Sequence, residues 1–93
     1  MFDKINPKLV LESRKVFQQV ENELVSARMK YTPFNSTHEG YAVIAEELDE
    51  LWELIKKNKG YEINDPQMIK ECVQLAAMAV AFIVDLSKKR GGK

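Results

Sequence analysis

Apolar residues recur at three- and four-residue spacing in three long segments of this chain, and short stretches containing proline, glycine and asparagine separate them. This spacing is typical of amphipathic α-helices, because residues three or four apart lie on one face of a helix. We therefore predict an all-α fold of one domain, residues 1–93, with helices over about residues 7–29, 36–58 and 65–89.

Each predicted helix begins at a capping sequence. The pairs Asn6-Pro7 and Asp65-Pro66 place a side chain that can cap free amides before a proline that suits the first helical position, and Asn64 strengthens the second signal. Ser36 and Glu39 have the spacing of a capping box, in which each side chain bonds the other residue's backbone amide. Gly60 suits the left-handed residue that ends a helix.

The apolar positions also predict which faces are buried. On helix 1 they form one row: Leu9, Ser13, Val16, Phe17, Val20, Leu24 and Ala27. On helix 2 the main buried stripe is Ile44, Leu48, Leu51 and Ile55. On helix 3 no side chain from Leu75 to Val84 is polar, and Cys72 is expected to face the apolar interior. A helix that is apolar all round must be covered on every side, so we expect a homo-oligomeric helical bundle, a dimer or a tetramer.

Composition narrows the classes of partner and compartment. Fourteen basic and fourteen acidic residues give no net charge, which disfavours nucleic acid polymers as partners. A single cysteine and the lack of a leader-like opening sequence favour the cytoplasm. The longest apolar run is much shorter than the roughly 20 residues that span a bilayer, so no membrane partner is expected.

Two polar interruptions of the apolar faces suggest chemistry. Glu47 and Glu50 interrupt helix 2, and Glu71 and Gln74 interrupt helix 3. If the two helices pack antiparallel, these side chains can converge, and a hard divalent cation would neutralise the enclosed carboxylates. Oxygen-only ligands favour Mg²⁺, with Mn²⁺ as the alternative, and Mg²⁺ favours phosphoryl chemistry. Alternatively, the glutamates are solvated or paired with basic side chains.

These motifs resemble those of the MazG-like, all-α nucleotide pyrophosphohydrolases. Residues 46–50, Glu-Glu-Leu-Asp-Glu, fit the EExxE signature of that family, and residues 71–74, Glu-Cys-Val-Gln, stand where the family carries ExxD. The resemblance covers about residues 37–86. It implies a MazG-like bundle and Mg²⁺-dependent hydrolysis of a nucleoside triphosphate to the monophosphate and pyrophosphate, in house-cleaning or pool regulation.

The resemblance also implies roles for individual residues. The expected metal ligands are Glu47, Glu50 and Glu71. Gln74 is expected to bind the metal through its carbonyl oxygen, and it gives the site one negative charge fewer than the family's aspartate does. Glu46 is expected to orient a ligand or to accept a proton from the attacking water. The catalytic residues implied are therefore Glu46, Glu47 and Glu50.

Three further residues are candidates for substrate contact. Trp52 could stack on the base or only pack; His38 could bind phosphate or act as a base, or be an ordinary surface residue. Lys56 could bind phosphate or only complement the helix dipole.

Three functions remain open: the enzyme, a nucleotide-binding protein without turnover because of Gln74, and a purely structural helical oligomer.

Overall fold

The computed structural model describes residues 6–57 and 65–91, with side chains through residue 88. Three α-helices contain most of these residues. α1 covers Pro7–Lys30, α2 covers Thr37–Lys57 and α3 covers Pro66–Gly91. The described residues contain no strand, so the predicted all-α class is confirmed. None of the three helices is long and apolar enough to cross a membrane.

The first and third helices begin at the predicted caps. The side-chain oxygen of Asn6 accepts hydrogen bonds from the backbone amides of Lys8 and Leu9, at 3.0 and 3.3 Å. The Asp65 carboxylate accepts one from the amide of Gln67, at 2.8 Å. Each bond satisfies an amide that has no carbonyl partner within its own helix.

The start of α2 forms half of the predicted capping box. Ser36 Oγ accepts a hydrogen bond from the backbone amide of Glu39 at 3.1 Å, as expected. The Glu39 carboxylate accepts from the amide of Asn35, one residue before the position that a capping box uses. The predicted signals at Gly60 and Asn64 lie outside the described residues.

α3 is the central helix of the fold. Both α1 and α2 pack against it, and in the described residues they do not pack against one another. α2 and α3 run antiparallel, because Gly40 contacts Phe82 whereas Glu47, later in α2, lies beside Glu71, earlier in α3. A Cβ at Gly40 would lie 2.7 Å from the Phe82 ring, so glycine allows this close approach.

The core formed by the described residues is small. Its buried apolar side chains are Ala77 and Ala81, whereas fifteen large apolar side chains are exposed. The predicted buried face of α1 is wrong over its first half, where Val16 and Phe17 are 48% and 67% exposed and Leu9 is also exposed. The reason is that α1 has α3 as its one helical neighbour among the described elements.

Two more burial predictions are wrong. Leu48 was expected in the main buried stripe of α2, and it is 52% exposed. Cys72 was expected to face the interior, and it is exposed. On the helical wheel each side chain is turned about a quarter turn or more away from the glutamates at the α2–α3 contact, which accounts for its exposure.

The chain also exposes more surface than a compact protein does. Its accessible area is 7694 Å², whereas a compact globular protein of this mass exposes about 5,500 Å². The radius of gyration is 15.6 Å, compared with about 12 Å for a compact chain of this length. In the described residues α1 and α2 do not pack against each other, which leaves surface exposed on both helices.

Candidate metal centre

Three carboxylates meet where α2 crosses the first turns of α3. Glu47 and Glu50 lie one turn apart on α2, and Glu71 faces them from α3. One carboxylate oxygen from each residue lies within 4.8 Å of the other two. The antiparallel packing of the two helices therefore brings together the three carboxylates that the sequence pattern singled out.

Two oxygens of this cluster are buried without a partner. Glu47 and Glu71 are half-buried, whereas Glu50 is exposed. Oε1 of Glu47 and Oε1 of Glu71 are shielded from solvent, and no hydrogen-bond donor in the described part of the chain reaches either atom. A buried carboxylate oxygen is normally hydrogen-bonded or paired with a cation, so the cluster lacks a positive partner.

The environment of the cluster disfavours full ionisation. Burial raises the pKa of Glu47 to about 7, and the nearby charges of Glu50 and Glu71 act in the same direction. The pKa of Glu71 is also raised, first by burial and then by the charge of Glu50. A protonated carboxyl could donate a hydrogen bond to its neighbour, and a bound cation would replace that proton.

The chemistry of the donor set fits a hard divalent cation. The cluster contains carboxylate oxygens and neither histidine nor cysteine, which disfavours a typical zinc site. One oxygen from each carboxylate lies within 4.8 Å of the other two, so rotations of these flexible side chains would bring the three oxygens to one hard cation. The predicted ligands Glu47, Glu50 and Glu71 thus pass this test, and metal binding itself stays a prediction.

A cleft lies beside the cluster, between α1 and α2 and above α3. Its volume is about 790 Å³, within the range of small-molecule sites. Glu46 and Glu47 line it from α2, Gln74 from α3, and the basic residues Arg28 and Lys30 from α1. Gln74 is therefore on the cleft side of α3, near one of the three carboxylates, and its role as a ligand stays a prediction.

The three predicted substrate residues do not line this cleft. His38 is exposed in the first turn of α2. Trp52 is 54% exposed, and the Lys56 ammonium lies 5.7 Å from the centre of its ring and 3.0 Å from the Glu53 carboxylate. The ion pair and ring contact favour the surface interpretation of Lys56, and contact of any of the three with a substrate stays a prediction.

The sequence prediction missed an ion pair that shapes the cleft. Asp85 of α3 is 7% exposed, and its two oxygens accept hydrogen bonds from Arg28 at 2.9 and 2.7 Å. It also accepts one from the Phe34 amide at 2.9 Å. Although burial opposes its ionisation, Arg28 and this amide hold the pKa of Asp85 below its ordinary value. The sequence signal that could have indicated this ion pair was an aspartate directly after a long apolar stretch of α3.

Aromatic contacts extend this network from the cleft residues Arg28 and Phe34 to α3. The Phe34 ring meets Phe82 edge to face, with centroids 5.8 Å apart, and the Arg28 guanidinium lies 5.7 Å from the centre of the Phe34 ring. Arg28 also donates to the carbonyl of Ala81 at 3.3 Å. These contacts tie the end of α1 and the first connection to α3, and so fix one wall of the cleft.

Comparison of the chain with protein-family models, with curated proteins and with solved structures gives no match. The MazG-like resemblance therefore depends on the two acidic motifs and their separation.

Proposed function

We propose that this chain is a Mg²⁺-dependent nucleoside triphosphate pyrophosphohydrolase that works as a homo-oligomer in the cytoplasm. The observation that carries the proposal is the pair of buried, unpartnered carboxylate oxygens on Glu47 and Glu71, next to Glu50 and at the edge of a cleft of about 790 Å³. A cation would supply the missing positive charge, and the cleft has the size of a small-molecule site.

The proposed roles are those that the MazG-like resemblance implies, and the positions of the side chains support them. Glu47, Glu50 and Glu71 would hold Mg²⁺, or Mn²⁺ as the alternative, and the Gln74 carbonyl would add a neutral ligand. The bound ion would supply charge neutralisation for phosphate oxygens and acidify a water molecule. Glu46 is exposed on the cleft wall, where its carboxylate can accept a proton from water.

Arg28 and Lys30, the two basic residues on the α1 wall of the cleft, differ in exposure and in their contacts within the protein. The guanidinium of Arg28 is already bonded to Asp85 and Ala81, so it acts mainly in fixing the wall. Lys30 is exposed and lines the cleft. Its ammonium group would attract the phosphates of a nucleotide. Phosphate oxygens would thus lie between a basic side chain of α1 and the acidic cluster with its cation.

The direct test is an activity assay with a matched control. Purified protein is incubated with ribo- and deoxyribonucleoside triphosphates and Mg²⁺ or Mn²⁺, and pyrophosphate and monophosphate are measured. We expect Glu47→Gln and Glu71→Gln to lower turnover by at least about a hundredfold. Asp49→Asn removes a carboxylate from an exposed position between the two α2 ligands and should retain activity. Equal activity of all variants would exclude the proposed centre.

The glutamine at position 74 supports a second candidate, a nucleotide-binding protein without turnover. One negative charge fewer at the cluster weakens the hold on a divalent cation. The melting temperature with Mg²⁺ and a nonhydrolysable nucleotide separates the candidates that bind from a structural oligomer, since a ligand of the folded state must raise it. Turnover then separates the enzyme from the binding protein.

A further inference from the structure

Tyr31 is an exposed aromatic residue on the wall of the cleft. It directly follows α1, its side chain is 70% exposed, and it lines the cleft together with Phe34 of the same connection. Single exposed apolar residues are common on protein surfaces, so exposure alone assigns Tyr31 no role. Its position beside a cleft of small-molecule size distinguishes it from the other exposed aromatic residues of the described chain, which do not line that cleft: Phe17, Tyr41 and Trp52.

The backbone on both sides of the Tyr31 ring is held by hydrogen bonds. The Tyr31 amide donates to the Ala27 carbonyl at 2.8 Å, and the Phe34 amide, three residues later, donates to the buried Asp85 carboxylate at 2.9 Å. The Phe34 ring is already in use, because it packs edge to face against Phe82. No ring or cation contact among the described residues involves Tyr31. In the described part of the chain, the cleft wall thus offers one free aromatic ring on a fixed backbone.

A free aromatic ring on a fixed backbone suits a flat ligand. Tyrosine provides a large contact area and loses little conformational entropy on binding, because its side chain has only two χ angles. A nucleobase stacks face to face on such a ring, and removing the ring weakens binding by roughly 5- to 150-fold for each stacked base. The ligand chemistry that fits this wall of the cleft is therefore a nucleobase.

The two ends of the cleft differ in chemistry. α2 lines the cleft from Glu39 to Glu47, a distance of about 12 Å along the helix axis. Glu47 belongs to the acidic cluster at one end. Glu39 accepts a hydrogen bond from the Asn35 amide, which places the other end beside the connection that carries Tyr31. This length is comparable to the span from the phosphates to the base of an extended nucleotide, so phosphates at the cluster would place the base near Tyr31.

We propose that the nucleoside part of the substrate binds at the connection end of the cleft, which Tyr31, Thr32 and Glu39 line, with its base stacked on the Tyr31 ring. This inference rests on the proposed function, since it takes the phosphates to lie at the acidic cluster. Stacking uses the face of a base, so every base can bind, and purines, which have the larger ring system, bind more tightly than pyrimidines. Trp52, which the sequence suggested for this contact, does not line the cleft.

The first test measures affinities by calorimetry in the presence of Mg²⁺. The probes are adenosine and uridine triphosphate analogues with a methylene group between the α- and β-phosphorus atoms, which blocks the proposed cleavage, and inorganic tripolyphosphate, which has no base. Tyr31→Ala should weaken binding of the adenosine analogue by at least about tenfold and of the uridine analogue by less, and should leave tripolyphosphate affinity within about twofold. Tyr31→Phe keeps the ring and should bind all three probes as wild type does.

The matched control is Tyr41→Ala. Tyr41 is 71% exposed on α2 and does not line the cleft. Its removal deletes an equally exposed tyrosine ring and should leave the affinities for all three probes unchanged. Circular dichroism checks that the variants remain helical.

The second test observes the tyrosine rings directly by nuclear magnetic resonance of isotope-labelled protein. The signal of Tyr31 is identified by its loss in Tyr31→Phe. It should shift when the adenosine analogue is added, because a stacked base changes the magnetic field at the ring, and it should shift much less with tripolyphosphate. The signal of Tyr41 should stay in place with either probe.

Failure of this inference and failure of the proposed function give different results. If wild type and Tyr31→Ala bind the adenosine analogue equally well, the base lies elsewhere and the proposed function stands. An equal loss of tripolyphosphate affinity in Tyr31→Ala would also overturn the inference, because the ring would then support the cleft and not the base. A uridine analogue that binds wild type more tightly than the adenosine analogue would overturn the purine preference. Wild type that binds none of the probes would overturn the proposed function, and this inference with it.

Discussion

Removing the Asp85 carboxylate should destabilise this protein strongly, because it breaks a part-buried ion pair with Arg28. Asp85→Ala deletes two hydrogen bonds from Arg28 and one from the Phe34 amide. It also leaves the guanidinium, whose side chain is only 23% exposed, without its anion. The end of α1 and the first connection would lose their polar attachment to α3.

The expected magnitude follows from burial. Breaking a buried ion pair by removing one partner costs roughly 3–5 kcal/mol. Because Arg28 keeps some contact with water, we expect the lower end, about 3 kcal/mol, or roughly 12–24 °C in melting temperature for a domain of this size. Asp85→Asn keeps one acceptor oxygen, which can serve the Phe34 amide and one Arg28 donor, and should cost less than Asp85→Ala.

The assay is urea unfolding followed by circular dichroism at one protein concentration, since self-association would add to apparent stability. The control is Glu53→Ala, which breaks the exposed pair with Lys56 and should cost below about 1 kcal/mol. Arg28→Ala combined with Asp85→Ala should cost less than the sum of the single changes, because no unpaired charge remains. If Asp85→Ala and Glu53→Ala cost the same, the reasoning about this ion pair is wrong.

Three further predictions concern the cluster and the helix contact. With a chelator present and no divalent cation, the melting temperature should fall as the pH rises from 4.5 to about 7. The reason is that Glu47 keeps its proton over this pH range in the folded protein and loses it in the unfolded chain. Glu47→Gln should flatten this pH dependence, and an unchanged pH dependence would contradict the raised pKa of Glu47. Gly40→Ala should destabilise by about 1–2 kcal/mol in urea unfolding despite alanine's helix propensity, because the new methyl group meets the Phe82 ring; adding Phe82→Leu should recover part of the loss. Gln74→Asp should tighten Mg²⁺ binding about tenfold in calorimetry, and unchanged affinity would place position 74 outside the site.

The sequence contained the information for the helices and for the acidic cluster. Capping residues such as Asn6 and Asp65 act within a few residues of themselves, so their spacing is sufficient to predict helix starts. Glu47, Glu50 and Glu71 could be grouped because one assumption, an antiparallel α2–α3 pair, fixes which helix faces meet. Local patterns thus predicted the helix starts and the grouping of the three carboxylates.

Long-range pairing was beyond the reach of the sequence. Arg28 and Asp85 are 57 residues apart, and nothing in the spacing of either helix selects the other as a partner. The burial of Leu48, Phe17 and Cys72 was wrong for a related reason. Periodicity shows that a residue is apolar on one face, but it does not show whether a neighbouring helix of the same chain reaches that face.

The antiparallel pairing of α2 and α3 makes the spacing of the acidic cluster independent of the shape of the cleft wall that α1 forms. All three carboxylates of the acidic cluster belong to this hairpin, whereas α1 contributes one wall of the cleft. Substitutions along α1 can therefore change the width and polarity of the cleft while the acidic oxygens keep their spacing. Related chains could therefore differ in which molecules the cleft admits and still keep the same acidic cluster.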